Sequence, residues 1–354
     1  MGRARDAFKP SRNGRVRPFV AKVTALALAL AFTTAAGMRA TWQTTDVTPD
    51  DSVGLGCATS QDHNMSQDCT PAPPSASPTS IPIADALWTP DLVTSWHWMI
   101  AHALDVDDPK DMGLTDPDGV RLTHPAPQVY DIDGFYNGAD PNCNIQDAQG
   151  HCVQGQNDAV RQLHDLGKKV VCYIDTGVYE RYRPDAYKFP SYVIGKVDAG
   201  WNESYWLDIR RTDILYPIME ARIKMCKDKK YDSIEPDEMV NYSNESGFPL
   251  TYQDQLVYNR GIAQIAHKYG ITIALKDDPE QAADLVDSFD WMLNEQCYEY
   301  NECDLMNPFV KAGKAVFVAE YKVDNGAFCS HAQANNYNAM RMPLGLAGGR
   351  WPCD

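Results

Sequence analysis

From residue 88 onward, short apolar runs recur between longer stretches whose apolar positions fall three and four apart. The runs at 94–99, 128–132, 169–174, 231–234, 271–275, 291–293, 315–319 and 341–346 read as strands. Between them, DAVRQLHDLG (158–167) sets Val160, Leu163 and Leu166 at helical spacing and stops at a glycine. ILYPIMEARIKMCKDKK (214–230) aligns Ile218, Ala221, Arg222 and Met225, and ends in lysines that suit the helix macrodipole. TYQDQLVYNRGIAQIAHKYG (251–270) opens on a threonine cap and closes in His-Lys-Tyr-Gly. PEQAADLVDSF (279–289) and LMNPFVKAG (305–313) supply two more helical patterns.

Eight strand-like runs, most followed by a helix, over about 265 residues predict an α/β fold, a single (β/α)8 TIM barrel. A doubly wound sheet is the alternative. The barrel reading matters because barrel active sites lie at the C-terminal ends of the strands. Charged residues just after each apolar run then converge on one rim.

The residues before the barrel differ in kind. Basic side chains from Arg3 to Lys22 run into the apolar segment VTALALALAFTTAA (23–36) and small residues, the order of a secretory signal; residues 1–40 are expected to be a signal peptide or signal anchor. Residues 41–84, including TPAPPSASPTSIP (70–82), offer few large apolar side chains and read as a disordered, Pro/Ser/Thr-rich linker. Residues 85–354 are expected to form the (β/α)8 domain. Without residues 1–40 the chain carries 24 basic and 47 acidic side chains, a net charge of −23. That argues against nucleic acid and makes a cationic ligand the natural complement.

All ten cysteines follow the signal segment, an even count that argues for disulfides. Spacing suggests Cys57 with Cys69, Cys143 with Cys152, Cys297 with Cys303 and Cys329 with Cys353, leaving Cys172 with Cys226. Sequons at Asn64, Asn202, Asn241 and Asn244 are candidate glycosylation acceptors. His97, His102, His164 and His267 lack ligand-like spacing and read as packing or surface residues. No P-loop, GxSxG elbow, dinucleotide fingerprint, EF-hand or HExxH occurs, so no cofactor or metal is expected.

Nearly every predicted strand ends in a carboxylate. The ends hold Trp96 and Trp98; Asp131 and Asp133 in VYDIDGF; Asp175 in VVCYIDTG; Glu235 and Asp237 in SIEPDE; Lys276, Asp277 and Asp278 in IALKDD; Asn294, Glu295 and Gln296 in WMLNEQC; Glu320 and Tyr321 in VFVAEY. One such acid is an ordinary turn or cap residue; acids after six runs suggest a common site. Asp237 on the fourth strand and Glu295 on the sixth would face one another, and two facing carboxylates equip a protein for glycoside hydrolysis. Rim aromatics (Trp96, Trp98, Tyr136, Tyr242, Tyr298, Tyr321) can stack on sugar faces. The same acids suit two other readings, a lectin-like binder of cationic polysaccharide and a metal-dependent hydrolase. In YDSIEPDEMVNY (231–242), Asp232 is expected to face solvent ahead of the strand.

The blocks WLDIR (206–210), IEPDEM (234–239), GFPLTYQDQLVYNRGIA (247–263), IALKDD (273–278), LNEQCYEYNEC (293–303) and GKAVFVAEY (313–321) resemble glycoside hydrolase family 114, typified by secreted endo-α-1,4-polygalactosaminidases. The resemblance spans about Trp96 to Trp351. It implies a TIM barrel with Asp237 and Glu295 as the catalytic pair. Asp131, Asp133, Asp175, Glu235, Lys276, Asp277, Trp96, Tyr298, Glu320 and Tyr321 are the candidate substrate contacts. The implied partner is a cationic galactosamine-containing polysaccharide, cut by a monomer that keeps no stable membrane insertion after signal cleavage. One departure stands out: the family's EPD is commonly followed by Asn, where this chain has Glu238.

Overall fold

The computed structural model describes residues 87–136, 158–199, 201 and 203–353. The expected signal segment, the linker, the Cys57–Cys69 and Cys143–Cys152 pairs, and the sequons at Asn64 and Asn202 lie outside the described residues. Eight parallel strands follow one another around the sheet in chain order: β1 (Trp96–Met99), β2 (Val129–Asp133), β3 (Lys169–Asp175), β4 (Ser233–Asp237), β5 (Thr272–Lys276), β6 (Trp291–Glu295), β7 (Val316–Glu320) and β8 (Tyr337–Arg341). This is a TIM-barrel-like α/β fold.

Seven strands fall within a few residues of their predicted positions; the eighth does not. It occupies Tyr337–Arg341, and the apolar run at 341–346 is the loop that follows. Pro343 has no N–H to offer a ladder, which is why that run is no strand. The helix Asn325–Ala334, absent from the sequence reading, leads into it.

Alternation along each strand sorts its side chains. Tyr130, Ile132, Val170, Cys172, Ile174, Ile234, Ile273, Leu275, Met292, Val316 and Val318 share one large buried cluster with residues of α1 (Ala159–Asp165), α2 (Thr212–Asp228) and α3 (Tyr252–Lys268). Trp96, Trp98, Val129, Val171, Ala274, Trp291, Leu293, Phe317, Ala319 and Met340 form a separate cluster inside the barrel. Each large apolar side chain so buried contributes about 1.5–3 kcal/mol. Trp96 and Trp291 pack on the Phe317 ring with centroids 4.8 and 5.0 Å away, an aromatic plug. Because side chains alternate with period two, residues 131, 133, 173, 175, 235, 237, 276 and 295 continue the inward set toward the strand ends.

The ring is not closed by a ladder between its first and last strands. A two-residue antiparallel strand, Trp351–Pro352, pairs with the far edge of β8, Met340 opposite Pro352 and Arg341 opposite Trp351. Among the described residues the β1–β8 seam is bridged instead by side chains. Asn338 Oδ1 accepts from the Thr94 N–H at 2.7 Å, its carbonyl accepts from Trp96 Nε1 at 2.7 Å, and its Nδ2 donates to the Leu92 carbonyl at 3.1 Å.

A second sheet interrupts the β3-to-α2 connection. Val178–Glu180, Ser204–Leu207 and Ile194–Val197 form an antiparallel three-stranded sheet, the middle strand being Ser204–Leu207. It is tied to the barrel by Arg222 of α2, which grips Asp185 through two bonds of 2.8 and 2.9 Å and the Asp175 carbonyl at 2.5 Å. Disulfides join Cys172 to Cys226, Cys297 to Cys303 and Cys329 to Cys353, as the spacing suggests. α3 starts at a capping box in which the Thr251 and Asp254 side chains each accept from the other's backbone N–H. No helix among the described residues is long and apolar enough to cross a membrane.

Two expectations are corrected here. Asp232 does not face solvent. It is largely covered and bonds His164 at 2.8 Å, Lys169 at 2.7 Å and the Val170 N–H at 2.9 Å, partners that hold its carboxyl below the usual range despite burial. Asn241 is no glycosylation acceptor, because it is buried and its amide donates to the Gly177 carbonyl at 2.6 Å and the Leu207 carbonyl at 3.3 Å.

Candidate active site

Three adjacent strands end on three charged side chains. Asp237 closes β4, Lys276 closes β5 and Glu295 closes β6. Behind each, the chain turns in the left-handed region: φ is 58° at Glu238, 51° at Asp277 and 60° at Gln296. None of the three is glycine, and such residues store strain of order 1–3 kcal/mol each. The turns carry the backbone away at once and leave the three side chains at the strand ends.

Lys276 is the hub. Its side chain is 1% exposed, and Nζ lies 3.0 Å from Asp237 Oδ1, 2.7 Å from Asp277 Oδ2 and 2.8 Å from Glu295 Oε2. Since the Asp237 and Glu295 oxygens are 3.0 and 2.8 Å from one atom, they are separated by at most the sum, 5.8 Å. The indole of Trp98 takes the ammonium's remaining side, 5.7 Å from Nζ to the ring centroid.

Each carboxylate has further donors. Tyr173 donates to Asp237 Oδ2 at 2.9 Å, and the Glu238 N–H to Oδ1 at 2.9 Å. Tyr321 donates to Glu295 Oε1. Asp277 Oδ1 accepts from the Glu295 N–H at 2.9 Å and from Asn294 Nδ2 at 3.0 Å, which locks the end of β6 onto that of β5. Burial pushes the Glu295 carboxyl up, against the pull of Lys276, so it holds a proton more readily than an exposed glutamate.

Beneath this layer, Asp131 and Glu235 are both fully buried, and no carboxyl oxygen of either finds a hydrogen-bond donor. The bond open to them is with each other, and it requires one to be protonated. Burial raises Asp131 to about 8, and burial with the neighbouring Asp131 charge pushes Glu235 well up. This pair forms the floor of the site rather than its lining.

Above lies a cavity of about 440 Å3, within the usual range for ligand sites. Asp133, Asp175, Asp237, Glu295 and Tyr321 line it, together with Trp98, Tyr136, Tyr173, Glu180, Tyr182, Arg183, Asp198, Trp201, Glu203, Glu238 and Leu346. Asp133 reaches the wall already engaged: Arg183 binds it at 2.6 Å and Glu180 at 2.6 Å, and its other oxygen accepts from the Phe135 and Tyr136 N–H groups. Asp175 Oδ1 accepts from the Gly177 and Val178 N–H groups at 3.2 and 2.9 Å.

Three expected contacts lie elsewhere. Trp96 belongs to the aromatic plug, and Trp98 takes the rim position. Glu320 is buried and raised to about 7 by burial, its Oε1 accepting from the Tyr298 N–H at 2.7 Å. Tyr298 packs on Phe328 and its hydroxyl meets His331 at 3.0 Å, away from the cavity. His102, His164 and His267 each pair with an aspartate outside the site, and His97 is buried, its ring held neutral with a pKa of about 3.

This geometry, paired carboxylates at the strand ends of a TIM-like sheet, accompanies a clear relationship. The family model for glycoside-hydrolase family GH114 matches residues 77–353. The chain belongs to family GH114. It is a glycoside hydrolase. Among solved structures it is similar to Ega3 of Aspergillus fumigatus, crystallised in complex with galactosamine: identity is 28%, the TM-score 0.61, and the match covers 76% of this chain and 98% of that one. The glycoside hydrolase domain of PelA from Pseudomonas aeruginosa matches at 10% identity and a TM-score of 0.49, over 73% of this chain and 98% of that one. No curated protein sequence matches the chain.

In this GH114 enzyme the walls were the part missed from the sequence. Glu180, Tyr182, Arg183, Asp198, Trp201 and Glu203 all come from the inserted sheet and its flanks. A signal was present. The 36 residues from 176 to 211 separate β3 from α2, far longer than the 2–6 residues usual for such a loop, and long loops of this kind are usually functional.

Proposed function

We propose that this glycoside hydrolase is a secreted, endo-acting enzyme that cleaves α-1,4-linked galactosamine-containing polysaccharide with retention of configuration. The observation that carries the reading is the shared Lys276 ammonium, which holds Asp237 and Glu295 with their nearer oxygens no more than 5.8 Å apart. Retaining glycosidases keep their carboxyl groups about 5–5.5 Å apart; inverting ones need about 6.5–9.5 Å to admit a water.

Asp237, satisfied by three donors, attacks the anomeric carbon. The glycosidic C–O bond breaks, and Glu295 gives its proton to the departing oxygen. In the second half Glu295 takes a proton from water, whose oxygen attacks the same carbon and releases Asp237. Lys276 compensates charge as it moves between the two carboxyls. The point at which the Asp237, Asp277 and Glu295 oxygens converge is occupied by this ammonium, and the described residues hold no His/Cys/Asp/Glu group arranged for a metal ion.

The substrate class rests on charge and likeness. The cavity wall is rich in carboxylates, and its cation, Arg183, is already bound to Asp133 and Glu180, so a polymer bearing ammonium groups fits it. Ega3 was crystallised with galactosamine. The N-terminal signal pattern and three disulfides support secretion.

The test is digestion of a de-N-acetylated α-1,4-galactosamine polymer, with product length and first-formed anomer followed by NMR. Short oligosaccharides released first as the α-anomer, with EDTA having no effect and with Asp237→Asn and Glu295→Gln each reducing kcat by at least about 10³-fold, are expected. Binding without new reducing ends would instead mark a lectin, and loss of activity with EDTA a metal enzyme.

A further inference from the structure

The cavity has two unlike halves. Among the described residues, every acid of its wall except Glu295 stands at or beyond the end of β2, β3 or β4, on the Asp237 side of the ring. On the other side, past Glu295 and Tyr321, the ends of β1 and β8 and the loops after them contribute Trp98, Ile100, Ala101, Leu344, Gly345 and Leu346, with no charged side chain and no hydroxyl. Through its bond from Tyr321, Glu295 borders this apolar half, and Asp237 borders the acidic one.

The apolar half is built as one surface. The Leu346 carbonyl accepts from the Ile100 and Ala101 N–H groups at 3.3 and 3.4 Å, which ties the two loops together across the seam and uses up donors that a water would seek. Trp98, Met340, Met342 and Leu346 back the wall from one buried cluster, and Ile100 and Tyr321 pack against it. At Gly345 a Cβ would meet open space, and the backbone there lies outside the left-handed region, so the cavity has room at that point. A water against such a wall lacks the polar partners that hold one in place. The C–H face of a sugar gains from the same contact.

Resting on the retaining reaction of the proposed function, we propose that this apolar half is an acceptor site, and that the enzyme joins sugar chains as well as cutting them. In the second half-reaction a hydroxyl of a second sugar, seated there, replaces water. Its oxygen attacks the anomeric carbon, the ester bond to Asp237 breaks with its electron pair returning to the carboxylate, and the hydroxyl proton passes to Glu295. No water is consumed, and one glycosidic bond replaces another. The step is the reverse of the cleavage, run with a different chain in the leaving group's seat, so the surface that receives the departing sugar also receives the incoming one.

The experiment supplies a p-nitrophenyl α-glycoside of a short α-1,4-galactosamine oligosaccharide as donor and methyl α-galactosaminide as acceptor. Nitrophenol release counts the first half-reaction, and mass spectrometry separates the hydrolysed oligosaccharide from the methyl glycoside one sugar longer. Transfer is expected to exceed hydrolysis, mole for mole of acceptor against water, by at least about 10³-fold, the signature of a bound acceptor. Gly345→Leu, which fills the open space, and Leu344→Asn, which gives water a partner, should each lower the ratio of transfer to hydrolysis about tenfold or more. Hydrolysed oligosaccharide released as the α-anomer with no longer product overturns the proposal and leaves the proposed function standing. Longer products formed in the same ratio by both variants remove the acceptor from this wall and overturn it as well. No nitrophenol release, or release of the β-anomer, overturns the proposed function itself.

Discussion

The hydroxyl of Tyr321, just beyond β7, donates to the oxygen of Glu295 that Lys276 does not use. The two donors therefore divide the carboxyl between them. Removing one disfavours the charged form, and Glu295 already stands above the usual glutamate range through burial. Tyr321→Phe should move the basic limb of the kcat/KM profile to higher pH and lower kcat about tenfold. Initial rates across pH 4–9 check this, and a limb that moves down or stays fixed would separate Glu295 from the proton transfer.

Lys276→Met leaves Asp237, Asp277 and Glu295 facing one another without their cation. Breaking one partner out of a buried ion cluster costs about 3–5 kcal/mol. Urea denaturation should show a loss of that size, and kcat should fall at least about 100-fold because neither carboxyl is then held in its working charge state.

The Asp131–Glu235 floor makes stability depend on pH in a defined direction. Asp131 is raised to about 8 in the folded protein, chiefly by burial, from an ordinary value of 3.8. Between pH 4 and pH 8 the unfolded chain has lost a proton that the folded one retains, so this group's contribution falls as pH rises through that window. Asp131→Asn does not titrate. Its urea midpoint relative to wild type should therefore rise from pH 5 to pH 8 and level off by pH 9.

Cys172 on β3 and Cys226 on α2 close a loop with a sequence separation of 54. Loop-closure entropy sets a ceiling of about 4 kcal/mol for such a link. The Cys172→Ala/Cys226→Ala protein should lose about 2–4 kcal/mol in chemical denaturation while keeping the anomer of its first product, because neither residue reaches the cavity.

Much of this was legible from alternation along the strands. Once Ile234 and Ile273 were buried toward the helices, Glu235, Asp237 and Lys276 had to point inward, and strand order then set Lys276 between Asp237 and Glu295. Depth was not legible. Period two places Asp131 and Asp133 on one face, but only packing shows that Asp131 lies in the floor while Asp133 reaches the wall. Nor were the short strands Val178–Glu180 and Ile194–Val197, which bury too little apolar surface to mark themselves among charged and aromatic neighbours. At β8 the polar Asn338 masked the strand, although it is the residue that bridges the seam.

That seam assigns an unexpected duty to Trp351–Pro352. By occupying the free edge of β8, and with Cys353 fastened to Cys329 beside it, this short segment serves as the barrel's keystone. A wall completed by a wedge opens where the wedge is drawn. Amide hydrogens along β1 and β8 should thus be the first of the barrel strands to exchange with solvent once the Cys329–Cys353 clasp is reduced, while strands β4 to β6, on the opposite arc, keep their shape.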